Sequence, residues 1–277
     1  MKNAMQLKAL SKKIAIENNI TAQVVLQNYM LERLLARISS SRFRSNFVLK
    51  GGFLVSALLG IQTRTTMDID VTIRKFKIDI QTIRNIFSEI CKIEANDNVK
   101  FAVTNIEEIR KTDIYSGIRV YIDAILSPIV AKLKVDITAG DKITPKEINF
   151  KYNLIFEKGN ISVLAYNVES ILAEKLETIL SRSVLNTRMR DFYDVYLLLK
   201  IKKKEIDMQT VNKALFATLK KRGTANFLAD YKKILLEVRK SEYMQNLWEN
   251  YRKEYFYASK IDFNSICRSI VKLLSEL

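Results

Sequence analysis

Histidine is absent from this sequence, which excludes imidazole metal ligands, Ser–His and Cys–His nucleophilic pairs and histidine general bases. Any chemistry must rest on carboxylates, lysines and bound ions. Cysteine is scarce: Cys91 and Cys267 stand alone without a C-x-x-C spacing, so there is no case for a disulfide framework or a cysteine zinc site. No run approaches the ~18 apolar residues that a membrane span needs. The mixed, amphipathic stretch after Met1-Lys2 lacks the apolar centre of a signal peptide. A soluble, cytoplasmic protein with no membrane partner is expected. With only two prolines and seven glycines there is no Pro/Gly-rich linker, so a domain boundary must be found from a change of pattern alone.

What is abundant is positive charge. The chain carries 46 Lys+Arg against 30 Asp+Glu, a formal net charge of +16. Residues 1–165 hold 25 basic and 16 acidic side chains (+9) and residues 166–277 hold 21 and 14 (+7), so a basic tail is not the source. A basic surface spread over the whole chain suits a polyanion such as nucleic acid; the bland alternative is a generically basic protein. The 277 residues, 48% of them hydrophobic, suffice for one large or two modest domains with a sizeable core.

One stretch organises the rest, Val48 to Ile73, VLKGGFLVSALLGIQTRTTMDIDVTI. Gly51 and Gly52 precede an apolar, helical run and leave backbone N–H groups unshielded at a helix start, a place suited to phosphate. After the spacer Phe53 to Met67 come Asp68 and Asp70 in a β-branched segment. Alternation along a strand puts both carboxylates on one face, about 7 Å apart, with Ile69 and Val71 facing a core. Such a pair can converge on hard cations, which take oxygen ligands. The stretch therefore suggests a site for metal and triphosphate.

Before it, residues 3–18 and 21–39 read as two helices, the second with Val24, Val25, Leu31, Leu34, Leu35 and Ile38 at amphipathic spacing. Phe47 to Leu49 reads as a short strand and Gly52 to Leu59 as a helix. Beyond the aspartates, Lys77 to Cys91 reads as a helix and Lys100 to Thr104 as a strand. Ile118 to Leu126 and Ala131 to Thr138 alternate around a Ser127-Pro128 turn. An antiparallel hairpin of these two beside the Asp68/Asp70 strand would bring Asp136 to the other carboxylates. Asp136 alone would equally suit a strand-end acid facing water.

From Asn167, a good N-cap, the pattern becomes almost purely helical, which sets a boundary of domains 1–166 and 167–277. Lys175 falls on the apolar stripe of Ile171, Leu172, Leu176, Ile179 and Leu180, where an ammonium needs an anionic partner or must reach to solvent. Asp191 and Asp194 share one helical face three residues apart; they either pair with Lys175 or a nearby arginine, or take part in a site. Further helices are expected around 211–219, 225–238, 243–257 and 263–274. Tyr251, Tyr255, Phe256 and Tyr257 lie near basic residues and could stack nucleotides, with aromatic packing between helices as the plainer account.

The Gly51-Gly52, Asp68-Ile69-Asp70 pattern resembles the first motif of the DNA polymerase β-like nucleotidyltransferases, and Leu133-Lys-Val-Asp136-Ile-Thr resembles their second. Ala173-Glu-Lys175-Leu and Arg190-Asp191-Phe-Tyr-Asp194-Val-Tyr are similar to the third and fourth motifs of the AbiEii/AbiGii abortive-infection toxin family. The four run in order over residues 48–199. The resemblance implies an α/β fold, a nucleotidyltransferase-type mixed sheet flanked by helices and followed by a helical bundle that contributes to the active site. It implies transfer of a nucleoside monophosphate from an NTP, with two divalent ions, Mg2+ in the expected case. Asp68, Asp70 and Asp136 would be the metal ligands, and Gly51, Gly52 and Lys175 the nucleotide-binding positions. Asp68, Asp70, Asp136, Lys175, Asp191 and Asp194 would form the catalytic set. It further implies a toxin–antitoxin context with a winged-helix antitoxin and an RNA acceptor, the 3′ end of tRNA. Two alternatives remain: a nucleotidyltransferase acting on protein or a small molecule, and a non-catalytic nucleotide- or RNA-binding module.

Overall fold

The computed structural model describes residues 3–76, 78–109 and 117–277; Met1 and Lys2, and Lys77 as the start of an expected helix, lie outside the described residues. The chain divides into two compact units, Met1–Asp141 with Glu147–Tyr166, and Lys142–Lys146 with Asn167–Leu277.

The first unit is built on a seven-stranded mixed sheet. Its strands are β1 (Phe47–Lys50), β2 (Ile69–Ile73), β3 (Lys100–Ile109), β4 (Gly117–Leu126), β5 (Ile129–Ala139), β6 (Ile148–Asn153) and β7 (Asn160–Ala165), in the order β3-β4-β5-β2-β1-β7-β6. Pairings β2/β5 and β1/β7 are parallel and the others antiparallel. Around the sheet run α1 (Ala4–Asn18), α2 (Ala22–Ser40), α3 (Gly51–Leu59) and α4 (Ile80–Lys92). The expected hairpin forms as β4 and β5, and its second strand lies beside β2. Strand β5 buries Ala131, Leu133, Val135 and Ile137 while Lys132 and Lys134 stay exposed, the period-2 pattern of a strand with one covered face.

Helix α2 is buried almost all the way round, and its polar side chains do structural work. Arg37 pairs in the interior with Asp97 and donates to the Val99 carbonyl at 2.9 Å. Asn28 Nδ2 donates to the Thr66 carbonyl at 2.9 Å, and Gln27 Nε2 donates to the carbonyls of Lys132 (2.8 Å) and Met67 (3.3 Å). The loop leading to Asp68 is thus tied by its backbone to a rigid helix, which satisfies buried carbonyls that no ladder reaches.

The second unit is helical: α5 (Val168–Arg182), α6 (Met189–Ile201), α7 (Met208–Arg222), α8 (Asn226–Ala229), α9 (Tyr231–Lys240), α10 (Glu242–Glu254) and α11 (Phe263–Ser275). Asn167 caps α5, accepting from the Ser170 N–H at 2.7 Å. Its amide also donates to the carbonyls of Thr144 and Lys146 at 2.8 and 3.1 Å, which holds residues 142–146 to this unit. The helix expected over 225–238 is two helices broken at Asp230. No described helix is long and apolar enough to cross a membrane.

Candidate active site

Asp70 lies in β2, and Asp68 sits one residue before the strand begins. Both are partly buried. Asp68 Oδ1 accepts from Thr66 Oγ1 at 2.9 Å, and Asp70 Oδ2 accepts from the Gly52 N–H at 3.2 Å. Gly51 has φ +64°, and a Cβ built there would lie 2.7 Å from the Asp70 Cβ and collide with its carboxylate. Glycine is required on both counts, conformation and space. Gly52 is less confined, with the Arg64 guanidinium and Thr66 Oγ1 each 3.1 Å from the place of a Cβ. In this arrangement the Gly52 amide serves the Asp70 carboxylate.

The register of the sheet sets Asp136 of β5 directly beside Asp70. The same line of cross-strand partners continues outward on both sides: Asp136 faces Arg119 on β4, Arg119 faces Glu107 on β3, and Asp70 faces Lys50 on β1. Cross-strand partners project from one face of a sheet, so five charged side chains form one row across five strands, in the order Glu107, Arg119, Asp136, Asp70, Lys50. Arg119 grips Asp136 through two parallel bonds, Nε to Oδ1 and Nη2 to Oδ2, each 2.7 Å. This bidentate geometry is the strong form of the arginine–carboxylate pair. The hydrogen bonds to Asp136 hold the Arg119 guanidinium even more firmly protonated than usual. Lys50 Nζ meets Asp141 Oδ2 at 2.6 Å, and Thr138 Oγ1 donates to the same oxygen at 2.6 Å.

Asp70 carries the electrostatic load. Burial, reinforced by the charges of Asp68 and Asp136, pushes its carboxyl up to about 6, against the counteracting pull of Lys50 and the Gly52 amide. Neighbouring carboxylates that repel one another are hard-oxygen donors of the kind a divalent cation takes. Asp68 and Asp70 are the residues of this set whose oxygens could hold such an ion. Asp136 fits that role by position, although both its oxygens are held by Arg119, and among the described residues no three His, Cys, Asp or Glu side chains already converge as a metal cluster.

In the helical unit, Lys175 on α5 lies between two acids of α6: its Nζ is 3.1 Å from Asp191 Oδ1 and 2.7 Å from Asp194 Oδ2. Asp194 is fully buried and the Lys175 side chain is 11% exposed, so the ammonium on the apolar stripe has its anionic partners within the helix pair. Asp191 Oδ2 is buried and has no hydrogen-bond partner among the described residues. The structure thus brings together Asp68, Asp70, Asp136 and the Gly51-Gly52 turn in one unit, and Lys175, Asp191 and Asp194 in the other. Tyr251 packs against Tyr193 and Trp248 within the helical core, and Tyr255 and Tyr257 stack on that cluster; Phe256 points outward, 64% exposed.

Arg119, Lys50 and Asp141 are additions that sequence reasoning did not assign to the site. Arg119 had a legible signal, since a tight turn that pairs Leu126 with Ile129 also pairs Arg119 with Asp136.

The family model described as "Nucleotidyl transferase AbiEii toxin, Type IV TA system" matches residues 33–268. No curated protein matches the chain. Among solved structures, JHP933 from Helicobacter pylori is similar over 92% of this chain and 91% of its own, at 16% identity and a TM-score of 0.51. A candidate nucleotidyltransferase from H. pylori is similar over 92% of this chain and 95% of its own, at 16% identity and a TM-score of 0.50. At that identity the likeness is one of fold, the α/β fold with a mixed sheet described above.

Proposed function

This chain belongs to the AbiEii family of toxin nucleotidyltransferases, and from that premise we propose that it transfers a nucleoside monophosphate from an NTP to the 3′ end of tRNA. The observation that carries the reading is the Asp70–Asp136 pair side by side on β2 and β5 with Asp68 adjoining it. A partly buried carboxyl pushed up by desolvation and then by the charges of Asp68 and Asp136 is relieved when a cation is bound there.

Asp68 and Asp70 would hold two divalent ions, Mg2+ in our reading, with Asp136 as the third ligand. When bound, such ions neutralise charge on the triphosphate and make the acceptor hydroxyl more acidic. The acceptor hydroxyl oxygen attacks the α-phosphorus, the new P–O bond forms, and the bond to the bridging oxygen breaks to release pyrophosphate. Asp136 would take the hydroxyl proton on a carboxylate oxygen that Arg119, which holds both in this structure, has released. The Gly51-Gly52 turn at the start of α3 is the phosphate-binding position we assign in this unit, with the Gly52 N–H shared with Asp70. Lys175, oriented by Asp191 and Asp194, is the phosphate-binding cation we assign to the helical unit. The family implies an antitoxin partner, which we take to be a winged-helix repressor, and the reaction is assigned to the cytoplasm, where tRNA resides.

The test is incubation of the purified protein and Mg2+ with total RNA, cell-extract protein and each α-labelled NTP. Label should enter tRNA and remain at its 3′ terminus, and Asp68→Ala, Asp70→Ala or Asp136→Ala should each cut incorporation at least about 100-fold, the scale of losing a main electrostatic stabiliser. Label entering only protein or small molecules rejects the RNA acceptor.

A further inference from the structure

The row of charges across the sheet contains a second cation of this chain's own beside the acidic pair, and its geometry is more than a neighbourly contact. We infer that Arg119 is a positioning residue that competes with a divalent cation for Asp136 and so sets how tightly the site takes up metal. The inference rests on the metal-dependent reading above.

Four observations carry it. Both oxygens of Asp136 are committed to Arg119, at 2.7 Å each, so a cation that uses Asp136 must displace at least one charge-assisted bond. Displacement is sterically open, because the Arg119 side chain is 30% exposed while that of Asp136 is 10% exposed. The guanidinium also has a second carboxylate in the same row: Glu107 is its cross-strand partner on the other side. Glu107 accepts from the Tyr121 hydroxyl at 2.7 Å, and Tyr121 is also a hydrogen-bond partner of Arg119, so the tyrosine links the two. Arg119 is therefore bonded to Asp136 inside the site and linked through Tyr121 to a second carboxylate of the row beyond it. With the guanidinium on Asp136, the mutual repulsion of Asp70 and Asp136 is relieved; with it on Glu107, both are free to face a cation. The energy of a fork held partly away from water is large enough to compete with a cation–carboxylate bond.

Mn2+ binding to the full-length protein, measured by calorimetry or by the loss of the free-ion resonance without nucleotide or RNA, tests this directly. Arg119→Gln, which removes the fork and the charge, should bind Mn2+ about tenfold more tightly than wild type. Arg119→Lys, which keeps the charge and loses the fork, should bind two- to threefold more tightly, and it serves also if the glutamine variant fails to fold. Glu107→Gln, which removes the alternative partner, should bind several-fold more weakly. Unchanged or weaker Mn2+ binding in folded Arg119 variants overturns the inference, since Arg119 would then be a strand tie or a support for Asp136. Binding by wild type with no response in the Arg119 variants leaves the metal-dependent reading standing and removes this one; failure of every protein, wild type included, to take up Mn2+ removes both.

Discussion

Asp70 occupies the least comfortable place in its row, with Asp136 on one side, Asp68 two residues back and a covered backbone around it. Its carboxyl is pushed up to about 6, so the folded protein holds that proton more tightly than the unfolded chain, whose value is the ordinary 3.8. Between those two values the native state binds more protons, and stability falls as pH rises; above about pH 6 the penalty is complete. Asp70→Asn keeps an oxygen for the Gly52 amide and removes the charge. In EDTA at pH 7.5 it should be more stable than wild type by about 1–3 kcal/mol, and the gain should vanish by about pH 4. Mg2+ should raise the melting temperature of wild type and leave that of Asp70→Asn nearly unchanged. A variant that is less stable than wild type at pH 7.5 would show that Asp70 is not strained by its neighbours. At this scale the sequence was informative about acids and silent about their counter-charges. Asp68, Asp70 and Asp136 stand out because acids in β-branched strands are unusual, whereas Arg119 on a half-exposed strand face looks ordinary until its register is known. Asp141 has no periodic signal, since it follows the end of β5.

Elements with strong periodicity were legible. The β4–β5 hairpin, α2, α4 and α5 follow from alternation or three-and-four spacing, and the turn between them is marked by proline. Strands β6 and β7 were not assigned. On β6 only Tyr152 is buried and Lys151 is exposed, so a strand at the sheet edge leaves little trace in hydrophobic pattern; its existence is decided by pairing with β7. The break at Asp230 was equally invisible because apolar spacing continues across it. The α5–α6 pair yields a prediction at this level. Lys175→Ala strands two acids, one of them fully buried, and should lower the stability of the helical unit by about 3–5 kcal/mol, as expected for half of a broken interior ion pair. Urea unfolding should show this, and adding Asp194→Asn should restore part of it. Loss of NTP affinity in a Lys175→Arg protein that remains folded would support the phosphate role; full NTP affinity there would leave Lys175 as the cation that fastens α5 to α6.

Over the whole molecule the excess of +9 in residues 1–165 and +7 in residues 166–277 favours a long polyanion. Neutralising phosphates releases counterions, so the affinity for tRNA should fall with salt by about 0.7–0.9 log units per log unit for each phosphate contacted. Filter binding across a salt series should give a slope of several contacts; a slope of one or less would rule out extended backbone binding. On the proposed reading, in which the carboxylates act on the reaction and phosphate contacts only position the strand, Asp68→Ala should show the same slope.

The close approach of Gly51 to Asp70 has a consequence in heritable terms. Every glycine codon changes, by any single-base missense substitution, to a residue with a side chain. At most positions some of those replacements are harmless, but Gly51 combines φ +64° with a carboxylate where a Cβ would go. Its codon therefore has no tolerated missense neighbour. When the toxin gene is induced in bacteria and survivors are sequenced, inactivating missense changes, alanine and serine included, should cluster at this codon.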